Sequence, residues 1–288
     1  MIHEKIKTYR KHPFSLLLHI ITVLSCAAAM IILISLIVYV CVKGIPHLTP
    51  ELFTPEYTSD NCSMLPSMIT TVITAAVTLI TAVPIGIGCA IYLCEYARSG
   101  SKLVKAIRLA TETLSGIPSI IYGLFGMLFF VTWLDWEYSV LAGAFTLALM
   151  VLPTIIRSSE EALLSVDNSF REGSYGLGAG KLRTIFVIVL PAASSGILSG
   201  IILSIGRIVG ETAALIYTAG TIAQIPTSLS DSARTLSIHM YCLSREGLHI
   251  NEASATAVVL LLTVLLLNTA AELAAKRLSG HNSKEIKA

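Results

Sequence analysis

The sequence predicts an all-α integral membrane protein with six transmembrane helices. Low charge, long uncharged runs and an uneven distribution of basic residues support this prediction. Only 13% of the 288 residues are charged and the mean hydropathy is +0.77. Soluble domains carry about 25% charged residues, so the composition belongs to a chain that lies mostly in a bilayer.

Six runs without Lys, Arg, Asp or Glu are each long enough to cross the bilayer core as a helix, which takes about 20 residues. In order, these runs are residues 13–42, 61–94, 113–134, 138–156, 184–206 and 253–271. The second run contains Pro84, where we expect a kink. An even number of crossings places both termini on the same side of the membrane.

The basic residues indicate which side that is. Four Lys or Arg residues lie in each of the N-terminal tail, residues 95–112, residues 157–183 and the C-terminal tail. The alternate segments 43–60, 135–137 and 207–252 hold only four altogether. Because cytoplasmic loops are enriched in Lys and Arg, we expect both termini and residues 157–183 to be cytoplasmic.

We divide the chain into three parts. Residues 1–63 comprise the N-terminal tail, the first span and an external loop, residues 64–277 form a five-helix core, and residues 278–288 form a cytoplasmic tail. Within the core, residues 157–183 form the longest cytoplasmic connection, and their spaced apolar residues predict short helices. Connections of this length are usually functional or disordered, and a solvated linker remains the alternative.

The glycine-rich part of this connection does not fit a nucleotide-binding loop. A P-loop requires glycine five residues before Gly-Lys and a hydroxyl residue after it, but Tyr175 and Leu182 stand there. No Cys-x-x-Cys, His-Glu-x-x-His or Gly-x-Ser-x-Gly motif occurs in the chain. We therefore expect no cofactor, no metal and no catalytic centre. A net charge of +2 without a basic stripe also argues against nucleic acid.

Two charged residues interrupt the apolar run that follows span five. Arg207 and Glu211 are the only charged residues between Thr184 and Pro226, and residues four apart face the same side of a helix. Charge is costly in an apolar segment, and a guanidinium fork fits a tetrahedral oxyanion. We expect Arg207, with neighbouring Thr212, to contact an oxyanion and Glu211 to hold Arg207 when no anion is bound. A structural salt bridge is the alternative.

Span five also has a small polar side that includes Ser194 and Ser195. These hydroxyls would line the same path as Arg207 if this side faces a pore. Small residues in membrane helices also serve close helix packing, and the neighbouring glycines Gly196 and Gly200 fit that alternative.

The connection before span five resembles a known motif. Glu172-Gly173-Ser174, followed by Gly178 and later by Leu190-Pro191, is similar to the EAA motif of permease subunits in ATP-binding-cassette importers. Gly-Ser stands where the family has Ala-Ala. In that family the motif forms a coupling helix that rests in a cleft of the cytoplasmic ATPase. The resemblance implies that these residues contact an ATPase and that Leu190-Pro191 marks the entry into span five.

Three further stretches are similar to the phosphate permeases within that family, namely residues 115–126, 152–163 and 207–213. The resemblance implies a type I (MetI-like) importer permease fold, with the coupling helix between spans four and five, in a bacterial inner membrane. It also implies a homologous second permease subunit, two copies of a cytoplasmic ATPase and an external phosphate-binding protein as partners. ATP hydrolysis would then occur on another subunit, so this chain is not expected to be an enzyme.

Two other functions remain open from the sequence. One is a permease of the same superfamily for another oxyanion, such as sulfate or molybdate. The other is a proton-coupled secondary carrier, although such carriers commonly contain internal repeats and no clear half-to-half repeat is visible here.

Overall fold

The computed structural model describes residues 13–98 and 100–285, and this part of the chain is helical without a β-strand. The predicted basic N-terminal tail, residues 1–12, lies outside the described residues. The helices are α1 (Pro13–Gly44), α2 (Leu65–Ile91), α3 (Lys102–Ser115), α4 (Ser119–Gly126), α5 (Val140–Leu164), α6 (Asn168–Gly176), α7 (Lys181–Thr184), α8 (Leu190–Gly210), α9 (Ala213–Ile216), α10 (Leu236–Glu246) and α11 (Ile250–Glu285).

Five helical stretches are long and apolar enough to cross a membrane, which confirms five of the predicted spans. They are Phe14–His47, Leu65–Tyr96, Val140–Leu164, Lys181–Gly210 and Ile250–Leu273. The final helix continues to Glu285, so the predicted tail 278–288 is helical up to that residue. Residues 286–288 lie outside the described part of the chain.

The third span is broken, although the sequence predicted one helix over residues 113–134. Helix α3 ends at Ser115, and the chain then bends by 107° into the stretch Ser119–Trp133. Pro118 explains the break, because the residue before a proline is pushed out of the helical region. Counted as one span, this bent pair of helices makes the sixth candidate crossing.

Helix α5 forms the centre of the bundle and packs between α2 and α8. Leu147, Met150, Val151 and Ile155 of α5 are buried in a cluster with Ala82 of α2. Helix α1, by contrast, is apolar and exposed along most of its length, and it contacts the rest of the chain mainly through α11.

Two segments on the side that we predict to be external pack together, and we call residues 45–64 and 211–249 the outer cap. Leu52 and Met64 share a buried cluster with Leu236 and Leu243 of α10. After Gly210 the chain folds back into the protein, where Ala214, Leu215 and Ala219 are fully buried. The irregular backbone that follows α8 is thus buried in protein, as a lipid surrounding requires.

Candidate functional site

A short helix, α6, lies in the connection between spans four and five, as predicted. Helix α5 extends to Leu164, so the connection itself is shorter than residues 157–183. The Asp167 carboxylate accepts a hydrogen bond from Ser169 N at 2.8 Å and begins α6. This bond to the backbone holds the pKa of Asp167 below its usual value. The cap requires the ionised form, so the helix start is best formed above the pKa of an unfolded aspartate.

The residues of the EAA-like motif divide between the surface and the interior. Glu172 and Gly173 are exposed on α6, whereas Ser174 is buried. Ser174 Oγ lies 2.8 Å from Thr184 Oγ1, so α6 is hydrogen-bonded to the start of the span that it precedes. Gly178 has a φ of +82°, a left-handed conformation that favours glycine, and it turns the chain from α6 towards α7.

Leu190 and Pro191 begin α8 after a wider turn of helix. Residues Ile185–Val189 are π-helical and join α7 to α8 in the continuous stretch Lys181–Gly210. Pro191 has no N–H to donate to a carbonyl of the preceding turn, which explains why regular α-helical bonding gives way there. The entry into span five at Leu190-Pro191 therefore follows a π-helical turn.

Exposed apolar side chains lie on α6 and in the residues that follow it. Phe170, Tyr175, Leu177 and Leu182 are exposed, and Leu177 is 92% exposed. We call Phe170, Glu172, Tyr175 and Leu177 the coupling surface. Exposed apolar side chains among polar ones are typical of a surface that a partner protein covers.

Sequence reasoning missed the residue that ties α6 to the bundle. Arg171 Nε lies 2.9 Å from Glu95 Oε1 at the end of span two, and the two side chains are only 15% and 7% exposed. The same guanidinium donates to the backbone carbonyls of Val166 at 2.8 Å and Leu163 at 2.9 Å, at the end of α5. No periodicity connects residues 76 apart, so the sequence contains no signal for this pair.

A second cation strengthens that connection. Lys181 Nζ donates to the Glu95 carbonyl and lies 4.5 Å from the centre of the Tyr96 ring. Arg171 and Lys181 therefore attach both ends of the coupling segment to the end of span two.

At the far end of α8, the structure separates the two charges that the sequence placed together. Arg207 is partly exposed and forms no ion pair or hydrogen bond within residues 13–98 and 100–285. The helix ends at Gly210, so Glu211 is extended, and its Oε1 accepts from Ala214 N at 3.2 Å. The expected Arg207–Glu211 pair is not formed, because Glu211 caps α9 instead. The Thr212 hydroxyl lies 3.5 Å from the Gly210 carbonyl.

Two of the stretches singled out in the sequence meet beside Arg207. A Cβ added to Gly123 of α4 would lie 2.8 Å from Ala214 Cα, so α4 and α9 are in backbone contact. Tyr122 is within electrostatic reach of Arg207, and its hydroxyl donates to the Leu114 carbonyl at 2.8 Å. The helix break before α4 and the end of α8 therefore form one region.

The two serines of span five do not join Arg207. Ser194 Oγ donates to the Pro191 carbonyl at 2.7 Å, and Ser195 is exposed. Both lie 12 or 13 residues before Arg207, about 18–20 Å along a helix with a rise of 1.5 Å per residue. The small side of α8 serves packing where it meets α5, because a Cβ on Gly200 would lie 2.4 Å from Ser158 Cβ.

A charged cleft opens between α3, α5 and α8. Its volume is about 600 Å³, and Arg108, Glu112, Arg157, Glu160 and Glu161 line it. Arg108 pairs with Glu160 at 2.5 Å and Arg157 with Glu161 at 3.0 Å, so the described acidic partners balance both arginines. The cleft offers a polar, water-accessible region on the side that carries the coupling surface.

A comparison with known families decides the identity of the fold. Residues 82–282 match the family described as the binding-protein-dependent transport system inner membrane component. The chain belongs to this family. As an inner membrane component it is a multi-pass transport subunit, and in such systems the ATPase is a separate subunit. The family implies an ATPase, a substrate-binding protein and a second permease as partners.

Relatives of this inner membrane component are bacterial permeases. It is 31% identical over 266 residues to the probable ABC transporter permease protein YqgI of Bacillus subtilis, covering 85% of this chain and 90% of the relative. It is 35% identical over 230 residues to the phosphate transport system permease protein PstA of Haemophilus influenzae, covering 78% of this chain and 81% of the relative.

A solved structure supports the fold of this inner membrane component. A chain of a bacterial ABC transporter involved in the import of the acidic polysaccharide alginate superposes with a TM-score of 0.59 at 14% identity. The likeness covers 94% of this chain and 99% of the other. The predicted importer permease fold is confirmed.

Proposed function

We propose that this chain is one of two membrane permease subunits of an ATP-driven importer for inorganic phosphate. Its relative from Haemophilus influenzae is a phosphate transport system permease, and the likeness spans most of both chains. The observation that carries the proposal is the partly buried Arg207, which has no anionic partner among the described residues and ends the span that α6 precedes.

The coupling surface is the contact for the ATPase in this proposal. Exposed Phe170 and Leu177 would enter a cleft of the cytoplasmic ATPase, with Glu172 and Gly178 shaping the segment. Movement of α6 would pass to span five through the Ser174–Thr184 hydrogen bond. Interfaces and packed cores switch between discrete arrangements. A rigid contact between α6 and span five could therefore convert a small movement of the ATPase into a change in which side of the membrane the transport path opens to.

The same shift would reach two further spans. Arg171 bonds Glu95 at the end of span two and the carbonyls at the end of α5, which is span four. The coupling segment is thus attached to three spans that pack against one another at the centre of the bundle. We propose that these spans move together when the ATPase closes and opens.

Arg207 is the transient anion contact in this proposal. A phosphate monoanion or dianion offers oxygens that a guanidinium binds through two parallel hydrogen bonds. Glu211 does not occupy the guanidinium, because its carboxylate caps α9. Arg207 is therefore available to an oxyanion, and the adjacent Thr212 hydroxyl adds a hydrogen-bond donor to the path.

The orientation and the assembly follow from the same proposal. The distribution of basic residues favours a cytoplasmic position for both termini and the coupling surface, and an external position for the outer cap, where an external phosphate-binding protein would dock. A homologous second permease subunit and two copies of the ATPase complete the importer in the bacterial inner membrane. The alternative within the family is a permease for sulfate or molybdate.

The experiment is uptake of labelled phosphate into liposomes that contain the assembled importer, with binding protein outside and ATP inside. We expect Arg207→Gln to lower uptake by about tenfold or more, because the amide keeps the length but loses the charged fork. Arg245→Gln is the matched control, since Arg245 is exposed on α10. Equal uptake by the two variants would remove Arg207 from the path.

Two further arms of that assay separate the other candidate functions. Uptake at constant membrane potential should stop when ATP is omitted; continued uptake would indicate a proton-coupled carrier. Competition with excess sulfate or molybdate should leave phosphate uptake unchanged, and strong inhibition would assign the chain to another oxyanion.

A further inference from the structure

The outer cap encloses a buried arginine that none of the roles above explains. Arg234 is only 6% exposed, and its Nε and Nη2 atoms have no hydrogen-bond partner within the described part of the chain. No described carboxylate lies within ion-pair distance of it. One face of the guanidinium lies 4.4 Å from the centre of the Tyr57 ring. A ring face satisfies the charge in part but accepts none of the in-plane N–H donors.

Other polar atoms without partners lie around the same place. His239 is fully buried, and its ring nitrogens make no hydrogen bond of good geometry. The Tyr57 ring, which faces Arg234, also meets the His239 ring edge-on, with centres 6.0 Å apart. Ser67 Oγ is buried without a partner one helical turn before Thr71, and Thr71 Oγ1 accepts from Leu236 N at 2.8 Å. Ser67 therefore lies on the face of α2 that meets the start of α10.

These atoms form an unusual group for a protein interior. Of the seven buried side-chain atoms without a partner in the described residues, five belong to Arg234, His239 and Ser67. Nearly all buried polar groups in native proteins are hydrogen-bonded, so three buried side chains with unpaired atoms in one part of the outer cap favour a polar ligand there. A buried positive charge in particular requires a compensating negative charge.

The protonation of His239 agrees with a cationic surrounding. Burial, followed by the charge of Arg234, lowers the pKa of His239 to about 3, while the Cys62 backbone opposes this shift. His239 is thus neutral near pH 7, with one N–H donor and one acceptor nitrogen in its ring. Arg234 also precedes α10 by two residues, at the end of the helix whose dipole attracts negative charge.

We propose that Arg234, His239 and Ser67 form an internal site in the outer cap for a small inorganic oxyanion. The fork of Arg234 would bind two oxygens, and His239 and Ser67 would donate to the others. A partner's carboxylate or a lipid headgroup would need a wide opening to reach a guanidinium that is 6% exposed, whereas a small ion needs a narrow one.

The site adjoins the proposed transport path. Ser237, two residues from His239, donates through Oγ to the Glu211 carbonyl at 2.6 Å, and Glu211 is four residues beyond Arg207. The outer site would hold an anion that has arrived from outside before it reaches Arg207. This order rests on the proposed function, whereas the existence of the site does not.

The test is the thermal stability of the purified importer, without binding protein or ATP, as inorganic phosphate is added. Phosphate should raise the unfolding temperature of the unchanged importer and of the Arg245→Gln control. Arg234→Gln should weaken the apparent phosphate affinity by about tenfold or more. Arg234→Lys keeps the positive charge without the forked donors, so it should retain only part of the apparent phosphate affinity. An Arg234→Gln variant that responds like the control overturns the site.

Three further arms keep the result decisive. Ser67→Ala and His239→Gln should each reduce the rise in unfolding temperature that phosphate causes. These two variants test the site if the Arg234→Gln importer does not assemble. A short-chain phosphatidylglycerol that stabilises the importer when phosphate does not would assign the site to a lipid and overturn the free ion. If Arg207→Gln abolishes the phosphate effect while Arg234→Gln keeps it, the ion binds on the transport path alone.

The proposed function can fail separately from this site. An importer that shows the Arg234-dependent stabilisation but takes up no phosphate would retain the outer site and lose phosphate as the cargo. An importer that takes up phosphate, yet is stabilised equally with and without Arg234, would retain the cargo and lose the site.

Discussion

At the scale of single residues, one guanidinium connects three segments of this chain. Arg171 leaves the coupling helix and reaches Glu95 at the end of span two and two carbonyls at the end of α5. Both charged side chains are largely buried, so the pair is screened less than a surface salt bridge. Its hydrogen bonds to carbonyls also satisfy donors that burial would otherwise leave unpaired.

We predict that Arg171→Gln destabilises the protein by about 3 kcal/mol, because it leaves the Glu95 carboxylate buried without its cation. Phosphate-independent ATP hydrolysis should rise as the coupling helix loosens from the spans. The unfolding temperature and the basal ATPase rate of the assembled importer measure the two effects.

The double variant Arg171→Gln with Glu95→Gln provides the control. It removes the unpaired charge, so it should be more stable than Arg171→Gln alone while remaining loosely coupled. A double variant that is the less stable of the two would show that the pair is not the source of the effect.

Sequence alone could identify residues whose type is unusual for their position. Arg207 was visible because it is a charge in an apolar run, and Gly178 because a known motif contains it. Arg171 and Arg234 were not visible, since an arginine in a connecting segment is ordinary on the sequence. What makes both unusual is burial, which arises from contacts between segments far apart in the chain.

At the scale of elements, the close approach of α8 to α5 decides how span five can move. Gly196 and Gly200 let the two helices meet, since a Cβ at either position would lie within 2.6 Å of Ala162 or Ser158. This close contact in the N-terminal half of α8, preceded by a π-helical turn, would carry motion from α6 along the helix.

We predict that Gly200→Ala destabilises the protein by about 1–3 kcal/mol, because the added methyl group overlaps Ser158 and forces α5 and α8 apart. Gly206→Ala is the matched control on the same helix, where the nearest atom to a new Cβ is Asn268 Nδ2 at 4.0 Å. That variant should be neutral or slightly stabilising, since alanine favours helix. Equal unfolding temperatures for the two variants would contradict this packing account.

Hydrophobicity predicted where helices exist better than where they stop. Uncharged runs located four spans within five residues at each end, because a bilayer imposes their length, whereas the helix of span four continues eight residues beyond its run, to Leu164. The break before α4 was missed, although Gly116 and Pro118 stood in the run, because proline is tolerated inside α2 and α5. Helix α8 ends at Gly210, so Glu211 lies outside the helix that carries Arg207.

At the scale of the whole molecule, the chain has two functional ends joined by packed helices. One end presents the coupling surface and the charged cleft, and the other presents the outer cap with its buried arginine. The exposed length of α1 fits a helix that meets lipid or a second permease subunit. Composition predicted the membrane and the family motifs predicted the coupling end, but nothing in the sequence predicted that residues 45–64 pack against residues 211–249.

Site-specific photo-crosslinking from Leu177 tests the central claim most directly. A photoreactive phenylalanine analogue at Leu177, which is 92% exposed, is compared with the same analogue at Leu248, which is 83% exposed beyond α10. The account predicts a crosslink from position 177 to the ATPase subunit and none from position 248. A crosslink to the ATPase from position 248, or from neither position in an importer that transports, would contradict it.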